Sequence, residues 1–383
     1  MTARFKFAYS AAVIAVAATA AVLTGAAVLA AIGVEPLAVY LVILTEPLKD
    51  AFGLTEILVR AVPLTLVALG IAVAFRSGIL NIGAEGQMAV GIAAAAAVAI
   101  AFPDLPKPAL LPLTLLAGAT SGALWGGLAG YLKAKRDVNE ILSTVMLNYI
   151  AAQLYGFLLR GPMIDPEELT VGSGTPQSVR LPRAAWLDRL VPGTRLHAGI
   201  IVALVLAVLV YVLLWRTTAG YRLRASGAEP KAAKYAGIRV QRSLVAAMLL
   251  SGAFAGLAGA VELTGVHRRA IEGITSGYGF SGIVVALFAG LHPALIPPAA
   301  FFFGLLLIGA DMTQRAMSVP ANMVYVLQGA IILSIVAAKS VLADPYARDR
   351  AYRLFPSLTS AGPRRAAAGA NPSEASPDRE ADR

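Results

Sequence analysis

The sequence of 383 residues contains no cysteine and few charged residues. Without cysteine, the chain has no disulfide framework, no thiolate nucleophile and no metal site with sulfur ligands. Asp, Glu, Lys and Arg make up only 14% of the residues, against about 25% in a soluble domain. Hydrophobic residues make up 58%. This composition excludes an ordinary soluble domain and indicates an integral membrane protein.

The net charge of +10 and the three histidines do not indicate a nucleic-acid or metal site. Lys and Arg concentrate at the ends of apolar runs and in one long loop, which is typical of residues that set membrane topology. The histidines lie in separate predicted loops, so no metal site is predicted. The sequence also lacks the GxxxxGK[ST] motif and any Gly-Lys dipeptide, so it cannot hold nucleotide phosphates in a P-loop.

The apolar runs predict an all-α, polytopic membrane protein with about ten transmembrane helices, some of them broken or re-entrant. The first run, Ala8 to Val34, is longer than the apolar part of a signal peptide, so we predict an uncleaved span. The other spans are predicted at 57–75, 84–102, a run ending at 132, a run starting near 139, 198–214, 243–265, 277–290, 294–310 and 321–338.

Basic residues orient these spans. Lys133, Lys135 and Arg136 follow the fourth span and assign that loop to the cytoplasm. Alternation then places both termini in the cytoplasm, residues 160–197 in an outer loop and residues 215–242 in a basic cytoplasmic loop. We predict that residues 1–342 form the transmembrane domain. Residues 343–383, rich in Pro, Ala, Arg and acidic residues towards their end, are predicted to form a largely disordered cytoplasmic tail.

The stretch from Phe75 to Gly91 places a carboxylate and two amides between apolar runs. A carboxylate at bilayer depth costs about 2.5–3.5 kcal/mol on insertion scales. The glycines in this stretch indicate non-helical backbone, which survives at that depth only inside protein or beside water. Broken helices hold substrates in many transporters, so Asn81, Glu85 and Gln87 are predicted to line a substrate pathway. A short cytoplasmic turn, with Glu85 in the first turn of the next helix, is the alternative.

Other polar and aromatic residues complete this candidate pathway. Asn148 shares one helical face with Glu140 and Thr144, and it serves either interhelical hydrogen bonding or pathway lining. Tyr278 and Phe280 begin a later span. Amides can read hydroxyl groups and rings can stack on bases, so these residue types suit a polar, uncharged ligand.

Two segments are rich in small residues: SGALWGGLAG from Ser121 and SGAFAGLAG from Ser251. Small residues let helix backbones approach closely in a membrane. The pattern predicts close helix packing, with an internal duplication as the alternative.

The basic loop contains a short helix signal from Glu229 to Gly237. Pro230 is favoured as a first helical residue, Glu229 is held non-helical before it, and Gly237 suits a left-handed stop. A helix of about seven residues is unstable alone. It therefore needs a partner: either a protein groove, into which Ala233 and Tyr235 would insert, or the lipid headgroups.

Several of these segments resemble one protein family. The loop GYRLRASGAEPKAAKYAGIRV from Gly220, with the following MLLSGAFAGLAG, resembles the coupling-helix loop and next span of ABC importer permeases of the simple sugar and branched-chain amino acid family. NIGAEGQ, NEILSTVMLNYIA and GYGFSGIVVALFAG resemble in particular the nucleoside-type permeases that work with basic-membrane-lipoprotein binding proteins. The resemblance covers roughly residues 55–340 in order.

This resemblance implies a subunit that forms the translocation path for a nucleoside or a related simple sugar or nucleobase compound. It implies three partners: a second related permease, a cytoplasmic ABC ATPase that holds the ATP, and an extracytoplasmic substrate-binding lipoprotein. The subunit would be located in the lipid bilayer of a bacterial plasma (inner) membrane. The chain itself would carry no cofactor and no catalytic site. One alternative is an ion-coupled secondary transporter that uses Glu85, but such a transporter does not need a docking helix. The other alternative is a membrane enzyme, but no paired acids or metal cluster are evident in the sequence.

Overall fold

The computed structural model describes residues 3–172 and 174–317, with scattered positions between 326 and 344. In these residues the regular structure is helical, and β-pairing is limited to isolated bridges. The helices are α1 Ala3–Ala31, α2 Pro36–Thr45, α3 Ala51–Arg76, α4 Ala84–Ala101, α5 Lys107–Arg136, α6 Glu140–Arg160, α7 Pro166–Val171, α8 Gly199–Arg216, α9 Thr218–Ala228, α10 Pro230–Tyr235, α11 Val240–Glu262, α12 Tyr278–Phe288 and α13 Ile296–Met317.

Among the described residues, seven helices are long and apolar enough to cross a membrane, or eight if the bent pair α1–α2 counts as one span. The prediction of an all-α polytopic protein is therefore confirmed, but the count of ten is not. The predicted span 277–290 is only the 11-residue helix α12, about 17 Å long against a hydrocarbon core of about 30 Å. The predicted span 321–338 lies largely outside the described residues, and so does the tail from 343 onward apart from Asp344.

Helix α3 lies at the centre of the bundle, between α8, α11, α12 and α13. Its start is capped by Asp50, whose carboxylate accepts a hydrogen bond from the Gly53 N–H at 2.6 Å. Its residues from Val59 to Ala74 are buried on all sides, apart from the half-buried Arg60. A helix that is apolar all round is suited to such a central position, and α3 carries the chain from one end of the bundle to the other.

The two small-residue segments pack against each other, on α5 and α11. A Cβ added at Gly122 would lie 2.7 Å from the Gly256 Cα, and one added at Gly126 would lie 2.8 Å from the Met248 carbonyl oxygen. Gly256 also lies against α4, since a Cβ at Gly91 would lie 2.5 Å from its Cα. The predicted close packing is confirmed, because backbones at these separations leave no room for a side chain.

We expect Gly122→Val to prevent correct packing of α5 on α11. Overpacking of a tight interior costs about 1–3 kcal/mol, and here the clashing atoms are backbone that cannot rotate away. The yield of monodisperse protein on size-exclusion chromatography should fall several-fold, with a lower Tm. Leu124→Val is the control, since Leu124 lies on the same helix and is 71% exposed. Equal yield and Tm in the two variants would contradict this packing.

The bundle has two distinct ends. The end that carries α9 and α10 is called here the basic end. At the opposite end, the segment after α6 lies over the residues that follow α11: the Ser178 N–H donates to the Ala270 carbonyl oxygen at 2.8 Å, and Arg195 pairs with Glu56 near the start of α3. The long loop thus covers the opposite end of the bundle.

Candidate functional site

The chain turns at the basic end immediately after α3. The Arg76 guanidinium carbon lies 4.7 Å from the Trp215 ring centroid, and its Nε donates to the Leu291 carbonyl oxygen at 2.6 Å. Gly78 has a φ of +80°, and a Cβ there would lie 2.8 Å from the Cα of Gly227 in α9. A left-handed backbone and a close neighbour both require glycine at this position.

From this turn the chain runs back into the bundle in a non-helical stretch, residues 79–83. The Asn81 Nδ2 donates to the Ser251 Oγ at 2.8 Å. Ser251 is eleven residues after Val240, which places it about 17 Å along α11. Helix α4 therefore begins inside the bundle, at Ala84. The predicted turn and the predicted break inside the protein are both present in part. The chain turns at the basic end, and α4 then begins inside the bundle.

The side-chain amides of Asn81 and Gln87 are hydrogen-bonded to each other. Asn81 Nδ2 also donates to Gln87 Oε1 at 2.9 Å, and Gln87 Nε2 donates to Asn81 Oδ1 at 3.0 Å. The same oxygen accepts from the Gly83 N–H at 2.9 Å. Both side chains are at most 2% exposed. In this conformation the two amides order the backbone and have no direct access to a ligand.

Asn148 fixes the start of α4 from the neighbouring helix α6. Its Nδ2 donates to the Ile82 carbonyl oxygen and its Oδ1 accepts from the Gly86 N–H, both at 2.9 Å. The Gly86 N–H is one of the first-turn donors that have no partner inside their own helix. Asn148 therefore makes interhelical hydrogen bonds, one of its two predicted roles, and pathway lining stays a prediction.

Glu85 joins the starts of two helices. It lies in the first turn of α4, and its carboxylate reaches the first turn of α12, where Oε1 accepts from the Gly277 N–H at 3.2 Å and Oε2 from the Gly279 N–H at 2.7 Å. Carboxylates stabilise helix N-termini, because they meet unpaired N–H groups and the positive end of the dipole. Glu85 thus orders the backbone where α4 and α12 meet.

The start of α12 is also held from its other side by a charged group that the sequence analysis missed. The Tyr278 hydroxyl accepts a hydrogen bond from Arg60 Nη1 at 2.7 Å, and Arg60 Nη2 lies 3.4 Å from an Asp311 carboxylate oxygen. Tyr278 is 2% exposed, so its ring cannot stack on a ligand as predicted. The sequence contained a signal for Arg60 as a site residue, because Arg60 interrupts the apolar run from Ile57 to Ala74. Charged residues inside a membrane are paired and functional.

Phe280 is the accessible member of the predicted pathway. Its side chain is 49% exposed, and it directly follows Gly279, which contacts Glu85. Glu85 and Asn148 are partly exposed. The six predicted pathway residues are therefore brought together, but only Phe280 presents a largely open side chain. Among the described residues, no group of three or more His, Asp or Glu is placed to hold a metal ion.

The short helix in the basic loop forms as its local signals predict. Helix α10 begins at Pro230 after an extended Glu229, and Gly237 follows it with a φ of +79°. The Ile238 N–H donates to the Ala233 carbonyl oxygen at 3.0 Å, and the Gly237 N–H donates to that of Lys234 at 3.0 Å. These are the two bonds of a Schellman motif, which glycine makes possible.

Two details of the basic loop differ from the prediction. Ala233 is 4% exposed and faces the chain itself, whereas Tyr235 is 93% exposed, so only Tyr235 can enter a partner's groove. The arm before α10 is a helix, α9, in which the Ser226 hydroxyl donates to the Arg222 carbonyl oxygen at 2.8 Å. The sequence patterns predicted no helix in this arm.

Fold and site together define a polytopic membrane permease: two helices begin inside the bundle, and a short helix projects from one end. Residues 53–336 match the family model described as "Branched-chain amino acid transport system / permease component". The chain belongs to this permease family, as its motifs predicted.

Three relatives are similar over most of their length. The chain is 38% identical to the "Glucose ABC transporter permease protein TsgB13" of Haloferax volcanii, covering 84% of this chain and 85% of the relative. It is 38% identical to the "Guanosine ABC transporter permease protein NupP" of Bacillus subtilis, covering 76% and 83%. It is 33% identical to the "Nucleoside ABC transporter permease protein NupB" of Lactococcus lactis, covering 82% and 87%.

Proposed function

We propose that this chain is the membrane-spanning subunit of an ABC importer and forms the translocation path for a nucleoside or a related simple sugar or nucleobase compound. The family match supports the permease role. The names of the relatives, which include guanosine, nucleoside and glucose permeases, support the substrate class. These compounds share hydroxylated or heterocyclic rings without net charge.

The observation that carries the substrate class is the position of Glu85. Two helix N-termini that meet inside a bundle would attract an anion. Here the Glu85 carboxylate already occupies them, with N–H donors from Gly277 and Gly279. An anionic substrate would be repelled at this point, and a neutral one would not. The exposed ring of Phe280 beside it can stack on a base or a sugar ring.

The energy source in this proposal is a separate cytoplasmic ATPase that binds ATP. The segment from Glu229 to Gly237 docks on it, with Tyr235 as the anchor, and the chain itself is no enzyme. A second related permease covers the face that carries Phe280, and a substrate-binding lipoprotein delivers the ligand at the opposite end. Both termini then lie in the cytoplasm of a bacterial cell. The two backbone N–H donors on Glu85 favour a structural carboxylate over an ion site of a secondary transporter.

Competition for uptake tests the substrate class. Cells that express the chain with its neighbouring ATPase, permease and binding-protein genes are given labelled guanosine, with cells lacking only this chain as the control. We expect an excess of unlabelled nucleoside to reduce uptake at least tenfold and an excess of guanosine monophosphate or leucine to leave it nearly unchanged. If glucose or ribose proves to be the transported compound, the neutral-ligand proposal stands. Transport of the nucleotide would overturn the argument for a neutral ligand, and transport of leucine would overturn the proposed substrate class.

A further inference from the structure

A crevice at the basic end combines a charged mouth with an apolar interior. It lies between the adjoining ends of α8 and α9 on one side and the start of α11 on the other, with a volume of about 560 Å³. Its wall contains three arginines, Arg222, Arg239 and Arg242, and several apolar side chains, among them Leu213, Ala246 and Leu250.

The charged and apolar residues are separated along the bundle axis. Arg239 immediately precedes α11 and Arg242 lies in its first turn, whereas Leu250 is ten residues after Val240. Those ten residues correspond to about 15 Å along the helix. The crevice is therefore basic where α11 begins and apolar towards the interior of the bundle. The outward surface of α8 beside it is apolar and exposed, for example at Leu204 and Val208.

In the part of the chain that the structure describes, no counter-charge faces the arginines of the crevice. None of the described residues that line the crevice is an Asp or a Glu. Within the described part of the chain, Arg222, Arg239 and Arg242 form no ion pair with a carboxylate. All three are exposed at the mouth. Arginine forms bidentate, charge-assisted hydrogen bonds to phosphate.

We propose that this crevice binds one anionic phospholipid from the leaflet at the basic end. The phosphate of the headgroup lies among Arg222, Arg239 and Arg242, and an acyl chain lies along Leu213 and Leu250. Basic pockets at the ends of transmembrane helices recognise anionic headgroups in this way. Gly237 and Ile238 also line the crevice, so the lipid contacts the chain directly after α10 and stabilises the position of that helix.

Competition between two lipids tests this site on the full-length protein, purified in a neutral detergent without any ATPase. Phosphatidylglycerol and phosphatidylcholine with identical acyl chains are added in equal amounts, and the retained lipid is counted by native mass spectrometry. We expect the parent to retain the anionic lipid with at least about a tenfold preference. The triple variant Arg222→Gln, Arg239→Gln, Arg242→Gln should lose this preference. It should fold normally, because all three side chains are exposed.

A matched triple variant controls for the loss of three charges. Arg136→Gln, Arg216→Gln and Lys231→Gln neutralise exposed cations that do not line the crevice, and this variant should keep the parent's preference. Ala246→Phe fills the apolar part while keeping the arginines, and it should lower lipid retention several-fold.

Three outcomes would overturn the proposal. The first is a parent without preference for the anionic lipid, and the second is an equal loss in both triple variants. The third is complete displacement of the lipid by soluble glycerol phosphate at equal concentration, which would assign the arginines to a free phosphate. If the parent shows no lipid preference and the first triple variant fails to bind the ATPase, the arginines serve protein docking instead.

Discussion

Glu85→Ala should abolish uptake and lower the Tm of the protein, whereas Glu85→Gln should keep part of both. The alanine variant leaves the N–H groups of Gly277 and Gly279 without their acceptor, at about 1–3 kcal/mol for each buried donor. Glutamine retains one acceptor oxygen, so it can satisfy one of the two donors. Uptake in membranes at matched expression and the Tm of purified protein measure the two effects.

Asp104→Asn is the control for loss of an acid, because Asp104 is exposed just beyond the other end of α4. It should leave uptake and Tm unchanged. The ion-site interpretation of Glu85 makes a different prediction: glutamine, which cannot titrate, would stop transport as completely as alanine. Full loss of uptake in Glu85→Gln with an unchanged Tm would therefore argue against the ordering role.

Tyr235→Asp should separate transport from folding. The side chain is 93% exposed, so a charge there costs the isolated protein little, but it would place a carboxylate in the groove of the docked ATPase. We expect uptake and substrate-stimulated ATP hydrolysis to fall at least tenfold. The Tm of the isolated chain should stay within about 2 °C of the parent's Tm, because surface substitutions usually change stability little.

Two further variants sharpen this test. Tyr235→Phe keeps the ring and should retain most activity. Ala233→Asp places a carboxylate at a site that is only 4% exposed, so it should destabilise the loop itself and is a folding variant rather than a docking variant. Normal coupled hydrolysis in Tyr235→Asp would show that α10 does not enter a partner's groove.

The backbone preferences and hydrophobicity of neighbouring residues were sufficient to predict the elements that depend on short-range contacts. The start of α10 at Pro230 and its stop at Gly237 follow from backbone preferences of single residues. The apolar runs likewise predicted most spans to within a few residues. The glycine segments predicted close packing, but only the structure shows that each packs on the other, at Gly122 and Gly256.

The site itself depends on contacts that no local pattern records. Glu85 and Gly279 are 194 residues apart in sequence, and Arg60 and Tyr278 are 218 apart. From sequence, Asn81 and Gln87 were ligand candidates because polar residues at depth need a purpose. In the structure these two amides bond to each other, and both N–H groups and the oxygen of the Asn81 side chain are used within the protein. A polar residue between apolar runs can therefore order the backbone, and the region can still have a role in transport.

The central claim is that a separate ATPase supplies the energy for transport, and reconstitution tests this claim directly. The chain is placed in proteoliposomes with its second permease and its ATPase, with the loaded binding protein on the substrate side, and uptake is followed with and without ATP on the ATPase side. We predict uptake that requires both ATP and the ATPase and that is unchanged by a proton ionophore. Uptake by the chain without the ATPase, driven by an ion gradient and stopped by the ionophore, would contradict this account.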